Sequence, residues 1–142
     1  MLEKKQFRLA HLIFNVIWGF PMTLIGGIVA AVLMVSGKRP FKYGGCYFFR
    51  VGKKPWGGLN LGLVSLICPQ APGSTMRHEF GHSVQNAMYG PFTIFLVYIP
   101  SFLRYHYFNL RYMLGLEVGD YHAAWFEKQA DELGEKYMKM YE

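Results

Sequence analysis

The chain has 142 residues, enough for one domain, or for one small domain with an anchor, and too few for a multidomain protein. Hydrophobic residues make up 52% of it and charged residues 17%, a charge content low for a soluble protein. The net charge is +6, yet its placement beside an apolar run argues for anionic headgroups and against a nucleic-acid partner.

The first element is apolar. From residue 9 to residue 37 there is no Asp, Glu, Lys or Arg, and Arg8 and Lys38 bound the run. As one helix these 29 residues would reach roughly 43 Å, more than the ~30 Å of bilayer hydrocarbon. This predicts an N-terminal transmembrane helix, tilted or kinked at Gly19-Phe20-Pro21. A signal peptide starting at Lys4, Lys5 and Arg8 is one alternative, but the run is about twice the usual ~7–15 apolar residues and no A-x-A site closes it. A re-entrant hairpin bent at Pro21 is another. His11 and Asn15, four apart inside the run, point to a facing helix and so to a homo-oligomer; alternatively His11 sits at the membrane interface.

Residues 38–43 form a basic linker. No Asp or Glu lies between Lys4 and His78, whereas Lys38, Arg39, Lys42, Arg50, Lys53 and Lys54 follow the apolar run. The positive-inside rule then places the bulk of an integral membrane protein on the cytoplasmic side. Residues 44–68 change character. "GCYFFRV" and "LNLGLVSLIC", with "GKKPWGG" between them, predict two strands of a β-hairpin. Tyr47, Phe49 and Val51 would share one face, Phe48 and Arg50 the other. Cys46 and Cys68 are too far apart for a C-x-x-C motif, and free buried thiols suit a reducing compartment.

"PQAPGS" breaks the chain before a helix predicted at 76–89, capped by Ser74 or Thr75 and ended by Gly90-Pro91. This helix carries His78, Glu79 and His82 as H-E-x-x-H. Two imidazoles four residues apart share one helical face and can bind one metal ion, while Glu79 lies about 100° round, beside the ion, where it can take a proton from a bound water. Two surface histidines are the bland alternative. Gly81 inside the motif weakens the helix by about 1 kcal/mol relative to Ala, which close approach of another backbone would explain.

Residues 91–103 are apolar and too few to span a bilayer alone. They either dip into one leaflet with the end of the preceding helix or belong to the core. "RYHYFNLRYMLG" suits a membrane–water interface or an amphipathic helix equally. Residues 120–141 predict a last helix, on which Glu127 and Asp131 are again four apart. A catalytic zinc needs three protein ligands and an open position. Glu127 could be the third, and Asp131 could hold the non-ligating nitrogen of a zinc histidine. A solvated acidic face is the alternative.

His78-Glu79-Phe80-Gly81-His82, followed 45 residues after His82 by Glu127-Lys128-Gln129-Ala130-Asp131, resembles the gluzincin zinc metallopeptidases. The E-x-x-A-D form is most similar to the membrane branch with HtpX and the CAAX-prenyl endopeptidases, and to the minigluzincins. The resemblance implies Zn2+ on His78, His82 and Glu127, Glu79 as general base, and Asp131 bonded to a ligand histidine, His78. It also implies an edge strand just before the motif helix, the place of residues 59–68, on which a peptide substrate could pair; a hairpin that merely covers the helix is the alternative. Gluzincins add a His, Tyr or Arg that steadies the oxyanion. His122, Tyr121, His106, Tyr105 and Arg104 are the candidates; His122, five residues before Glu127, is assigned the role, against a purely structural histidine.

The expected architecture is an α+β membrane protein. It has an N-terminal transmembrane anchor and linker (1–42) and a minimal gluzincin-like domain (43–142). That domain comprises a β-hairpin, the H-E-x-x-H helix, an apolar membrane-associated segment and the E-x-x-x-D helix. The expected function is a membrane-anchored zinc endopeptidase acting on peptides or membrane proteins at a lipid bilayer. A zinc-binding adaptor without activity is the alternative.

Overall fold

In the computed structural model, which describes residues 2–142, the apolar N-terminal run is two helices and not one. Helices α1 (Leu2–Ile17) and α2 (Phe20–Val35) meet at 88°. Pro21 stands in the first turn of α2, where its missing N–H breaks no helical bond, so it starts a helix instead of kinking one. Gly19 forms the corner because a Cβ there would lie 2.3 Å from the side-chain nitrogen of Asn86. Among the described residues no single helix is long and apolar enough to cross a membrane, so the expected transmembrane helix is corrected to a bent pair.

Buried polar groups enforce the bend. His11 and Asn15 do face another helix, and it belongs to the same chain: α3 (Gly73–Tyr89). Asn15 donates to the Ser83 carbonyl at 3.1 Å, and Asn86 donates to the Asn15 side chain at 2.8 Å and to the Gly19 carbonyl at 3.1 Å. His11 Nε2 lies 2.9 Å from Ser83 Oγ and Nδ1 lies 2.6 Å from the Tyr141 hydroxyl. Ser83 donates its own proton to the Phe80 carbonyl, so His11 donates through Nε2 and accepts from Tyr141 through Nδ1, as a neutral ring does.

That neutrality has a pH consequence. Burial lowers the His11 pKa from 6.5 to about 4. Below pH 6.5 the unfolded chain therefore binds the proton that the folded chain refuses, and stability is lost as pH falls from about 6.5 towards 4. The full loss is about 3 kcal/mol, because each tenfold change in proton affinity is worth roughly 1.4 kcal/mol. Thermal melts between about pH 7.5 and 4.5 should show a shallower acid decline for His11→Gln than for wild type. Equal slopes would remove His11 as a cause.

The sheet is larger than the expected hairpin and differently connected. Strands β1 (Phe41–Tyr43), β2 (Cys46–Arg50), β3 (Gly58–Leu61) and β4 (Val64–Ile67) lie in the order β1-β2-β4-β3. The two expected strands are β2, which pairs with β4 in parallel, and a segment that is itself a tight hairpin, β3 turning into β4. Gly62, at φ +73°, makes that turn, and the Asn60 carboxamide accepts from its N–H at 3.0 Å. The edge strand is therefore residues 58–61 alone. Alternation also fails in β2: Phe48 and Phe49 are both buried and Tyr47 is exposed. Cys46, Phe48 and Ile67 pack with Phe80 and Val84 of α3 into the main core, and Cys46 and Cys68 are free and buried.

α3 begins at Gly73, three residues earlier than expected, without a side-chain cap, and ends where Gly90 turns at φ +58°. A 3-10 turn (Gly90–Phe92) and a π-helical turn (Ile94–Tyr98) lead into α4 (Ile99–Met113), bent 119° from α3. In this segment Thr93 and Val97 are buried, while Phe92, Phe95, Phe102 and Leu103 are exposed. The expected last helix divides into a 3-10 turn (Tyr121–Ala123) and α5 (Trp125–Met138), so His122 and Glu127 do not share a helix.

Candidate metal centre

The site is built where α3 crosses α5 at contact distance. Gly81 allows the approach: a Cβ there would lie 1.8 Å from the Ala130 carbonyl oxygen. Gly134 does the same from α5, with its Cβ position 2.2 Å from the Arg77 carbonyl oxygen. The crossing sets the H-E-x-x-H face of one helix against the E-x-x-x-D face of the other.

His78 Nε2 and His82 Nε2 lie 3.1 Å apart. Glu127 Oε2 lies 2.9 Å from the first and 3.4 Å from the second. All three residues are buried, and one ligand atom from each falls within 4.8 Å of the others. This buried His78, His82 and Glu127 group can hold a metal ion.

The donor chemistry fits such an ion. Asp131 Oδ1 lies 2.7 Å from His78 Nδ1, and Gln85 Oε1 lies 2.7 Å from His82 Nδ1. Gln85 donates through its nitrogen to the Phe126 carbonyl and to Gln129, which fixes its oxygen as the acceptor towards His82. Both rings thus donate from Nδ1, and both Nε2 lone pairs face inward. Glu127 Oε2, buried at the same point, accepts no hydrogen bond although it lies 2.9 Å from His78 Nε2. Three ligand atoms that converge in this way are what a cation satisfies.

Without an ion the carboxylates draw a proton onto His78. Burial alone would lower its pKa, but Glu127, Glu79 and Asp131 outweigh it and raise it to about 9. For Glu127 burial pushes upward, and the two histidines and Ser101 hold it well below the usual carboxylate range.

Glu79 is buried and outside the ligand set. Burial raises its pKa, and its Oε2 has no protein partner among the described residues. It lies under the β3 edge, where a Cβ on Gly58 would come 2.8 Å from its Oε1. A cavity of about 740 Å³ opens on the site, lined by Trp56, Leu59, Phe102 and Tyr105 as well as by Glu79 and His122.

Of the five oxyanion candidates, His122 is the one tied to the centre. Asp131 Oδ2 accepts from its Nδ1 at 2.7 Å, so one carboxylate holds both His78 and His122, whose rings sit 4.7 Å apart. Arg104 is turned to the carbonyls of Tyr121 and Asp120, Tyr105 donates to the Trp56 carbonyl, and Tyr121 bonds Ser101. His106 packs on Phe102 and also lines the cavity.

Sequence reading missed Gln85 and Ser101. Gln85 carried a usable signal, three residues after His82 on the same helix. Ser101, whose hydroxyl lies 2.5 Å from Glu127 Oε1, carried none. Comparison of the chain with family models, curated proteins and solved structures finds no match.

Proposed function

We propose that this chain is a zinc-dependent endopeptidase of the gluzincin type that cleaves peptide chains at a lipid surface. One observation carries the reading: His78, His82 and Glu127 converge on one point while Glu79, buried and partly unpartnered, lies beside them at the floor of an open cleft. Two histidines and one carboxylate also suit non-haem iron. The adjacent Glu79, available as a base, favours hydrolytic zinc.

Bound there, zinc supplies a Lewis acid for a peptide carbonyl and lowers the pKa of its water towards ~7. The chain's own residues do the rest. Glu79 takes a proton from the attacking water and delivers it to the leaving amine. His122, oriented by Asp131, lines the same cavity and is placed to donate a hydrogen bond to the oxygen on which charge develops. The β3 edge, paired with β4 on one side among the described residues, offers the backbone around Gly58 and Leu59 to an extended substrate, and the missing side chain of Gly58 makes room for Glu79 beneath it.

The lipid surface follows from exposed apolar groups. Ile17 and Val35 of the bent pair are 74% and 90% exposed, and Phe95 beyond α3 is 70% exposed. Lys38 and Arg39 follow Val35 closely, which suits an anionic bilayer. None of this requires the chain to cross the membrane.

The test is hydrolysis of a mixture of unstructured peptides by purified protein on anionic vesicles. Cleavage should stop with a zinc chelator and return with added zinc. Zinc-loaded protein that leaves every peptide intact would instead make the chain a metal-stabilised adaptor.

A further inference from the structure

Ser101 lies in the first turn of α4, between Ile99-Pro100 and Phe102-Leu103. Its hydroxyl donates to Glu127 Oε1 at 2.5 Å. Because that uses its only proton, the Tyr121 hydroxyl is the donor of this pair, shared between the Ser101 hydroxyl at 3.0 Å and the Ser101 carbonyl at 3.3 Å. Tyr121 is itself pinned: Arg104 of α4 donates to the carbonyls of Tyr121 and Asp120 at 3.0 and 2.8 Å. The two oxygens of Glu127 are therefore unlike. Oε1 is occupied by a hydroxyl with a second donor behind it, while Oε2 points at the histidine pair without a hydrogen bond.

We propose that Ser101 is a positioning residue that makes Glu127 a one-oxygen ligand, so that the metal keeps an open position for water and substrate. The inference rests on the metal-centre reading above. A free carboxylate can turn and bind a metal through both oxygens. Here that rotation would break the Ser101 bond and leave the hydroxyl facing a buried carboxylate edge without its acceptor. A second oxygen on the metal would fill the site that catalysis needs empty. Ser101 acts through Glu127.

The experiment compares wild type with Ser101→Ala and Ser101→Thr. It measures zinc Kd by chelator competition, the visible spectrum of the Co2+-loaded protein, and the melting of the metal-free form. Ser101→Ala should melt a few degrees below wild type, because Glu127 Oε1 loses its donor, and bind zinc about tenfold or more weakly. Its cobalt bands should weaken as the ion gains a ligand, a change that loss of packing alone does not produce. Ser101→Thr, which keeps the hydroxyl, should restore both. If Ser101→Ala does not fold, Ser101→Val against Ser101→Thr isolates the hydroxyl at equal shape, and the valine protein should show the weaker Kd and bands. A wild-type Kd and spectrum in the variant lacking the hydroxyl overturns the proposal while the metal centre stands. A wild-type protein that binds neither zinc nor cobalt overturns both.

Discussion

Replacing Glu79 by Gln should lower kcat/KM for peptide hydrolysis by about a thousandfold and leave metal binding intact. The amide keeps the shape of the carboxylate beneath Gly58, so neither the helix nor the β3 edge has to move. It cannot accept a proton from water. Because Glu79 is outside the ligand group, the metal content of the variant should equal that of wild type, which separates loss of the base from loss of the ion. Peptide cleavage and metal content are measured on the same preparation. A variant that keeps most of its activity would remove Glu79 as the base, and one that loses its metal would make Glu79 a structural neighbour of the ligands.

Gly81→Ala should be among the most damaging single-methyl changes in the chain. The new Cβ would meet a backbone carbonyl of α5 and not the flexible end of a side chain, so α5 itself must move. Overpacking of this kind costs roughly 1–3 kcal/mol, and the rigid neighbour places it at about 3 kcal/mol or more. The helix propensity of Ala returns only about 1 kcal/mol. Because α5 carries Glu127 and Asp131, the same displacement should weaken metal binding. Gly27→Ala is the control: it lies in α2 with nothing within 4 Å of its Cβ position and should melt at or above wild type. Thermal melts of the metal-free proteins and zinc titrations check both effects. If the two alanine variants behave alike, the close crossing is not what holds the site.

The convergence of His78, His82 and Glu127 was readable in part because helical geometry is local. Residues four apart on α3 and on α5 must share a face, whatever surrounds them. Asp131 beside His78 follows from the same spacing once the helices cross. What failed was non-local. Hydropathy reads residues 9–37 as one span because it cannot see Ser83 and Asn86 of α3 waiting for His11 and Asn15, nor the contact that bends the chain at Gly19. The parallel pairing of β2 with β4 joins segments with β3 between them, and "LNLGLVSLIC" reads as one strand unless Asn60 and Gly62 are taken as a turn. His122 reaches the centre from a separate 3-10 turn, through Asp131, by a route that sequence spacing does not encode.

In the proposed reading a single zinc ion lies between two turns of α3 and one of α5. Anomalous diffraction at the zinc edge, from crystals of the purified chain, locates that ion directly. The expected result is one peak bonded to His78 Nε2, His82 Nε2 and Glu127 Oε2. A zinc peak elsewhere, or no peak with the Glu127 side chain turned away from the two imidazoles, would contradict it.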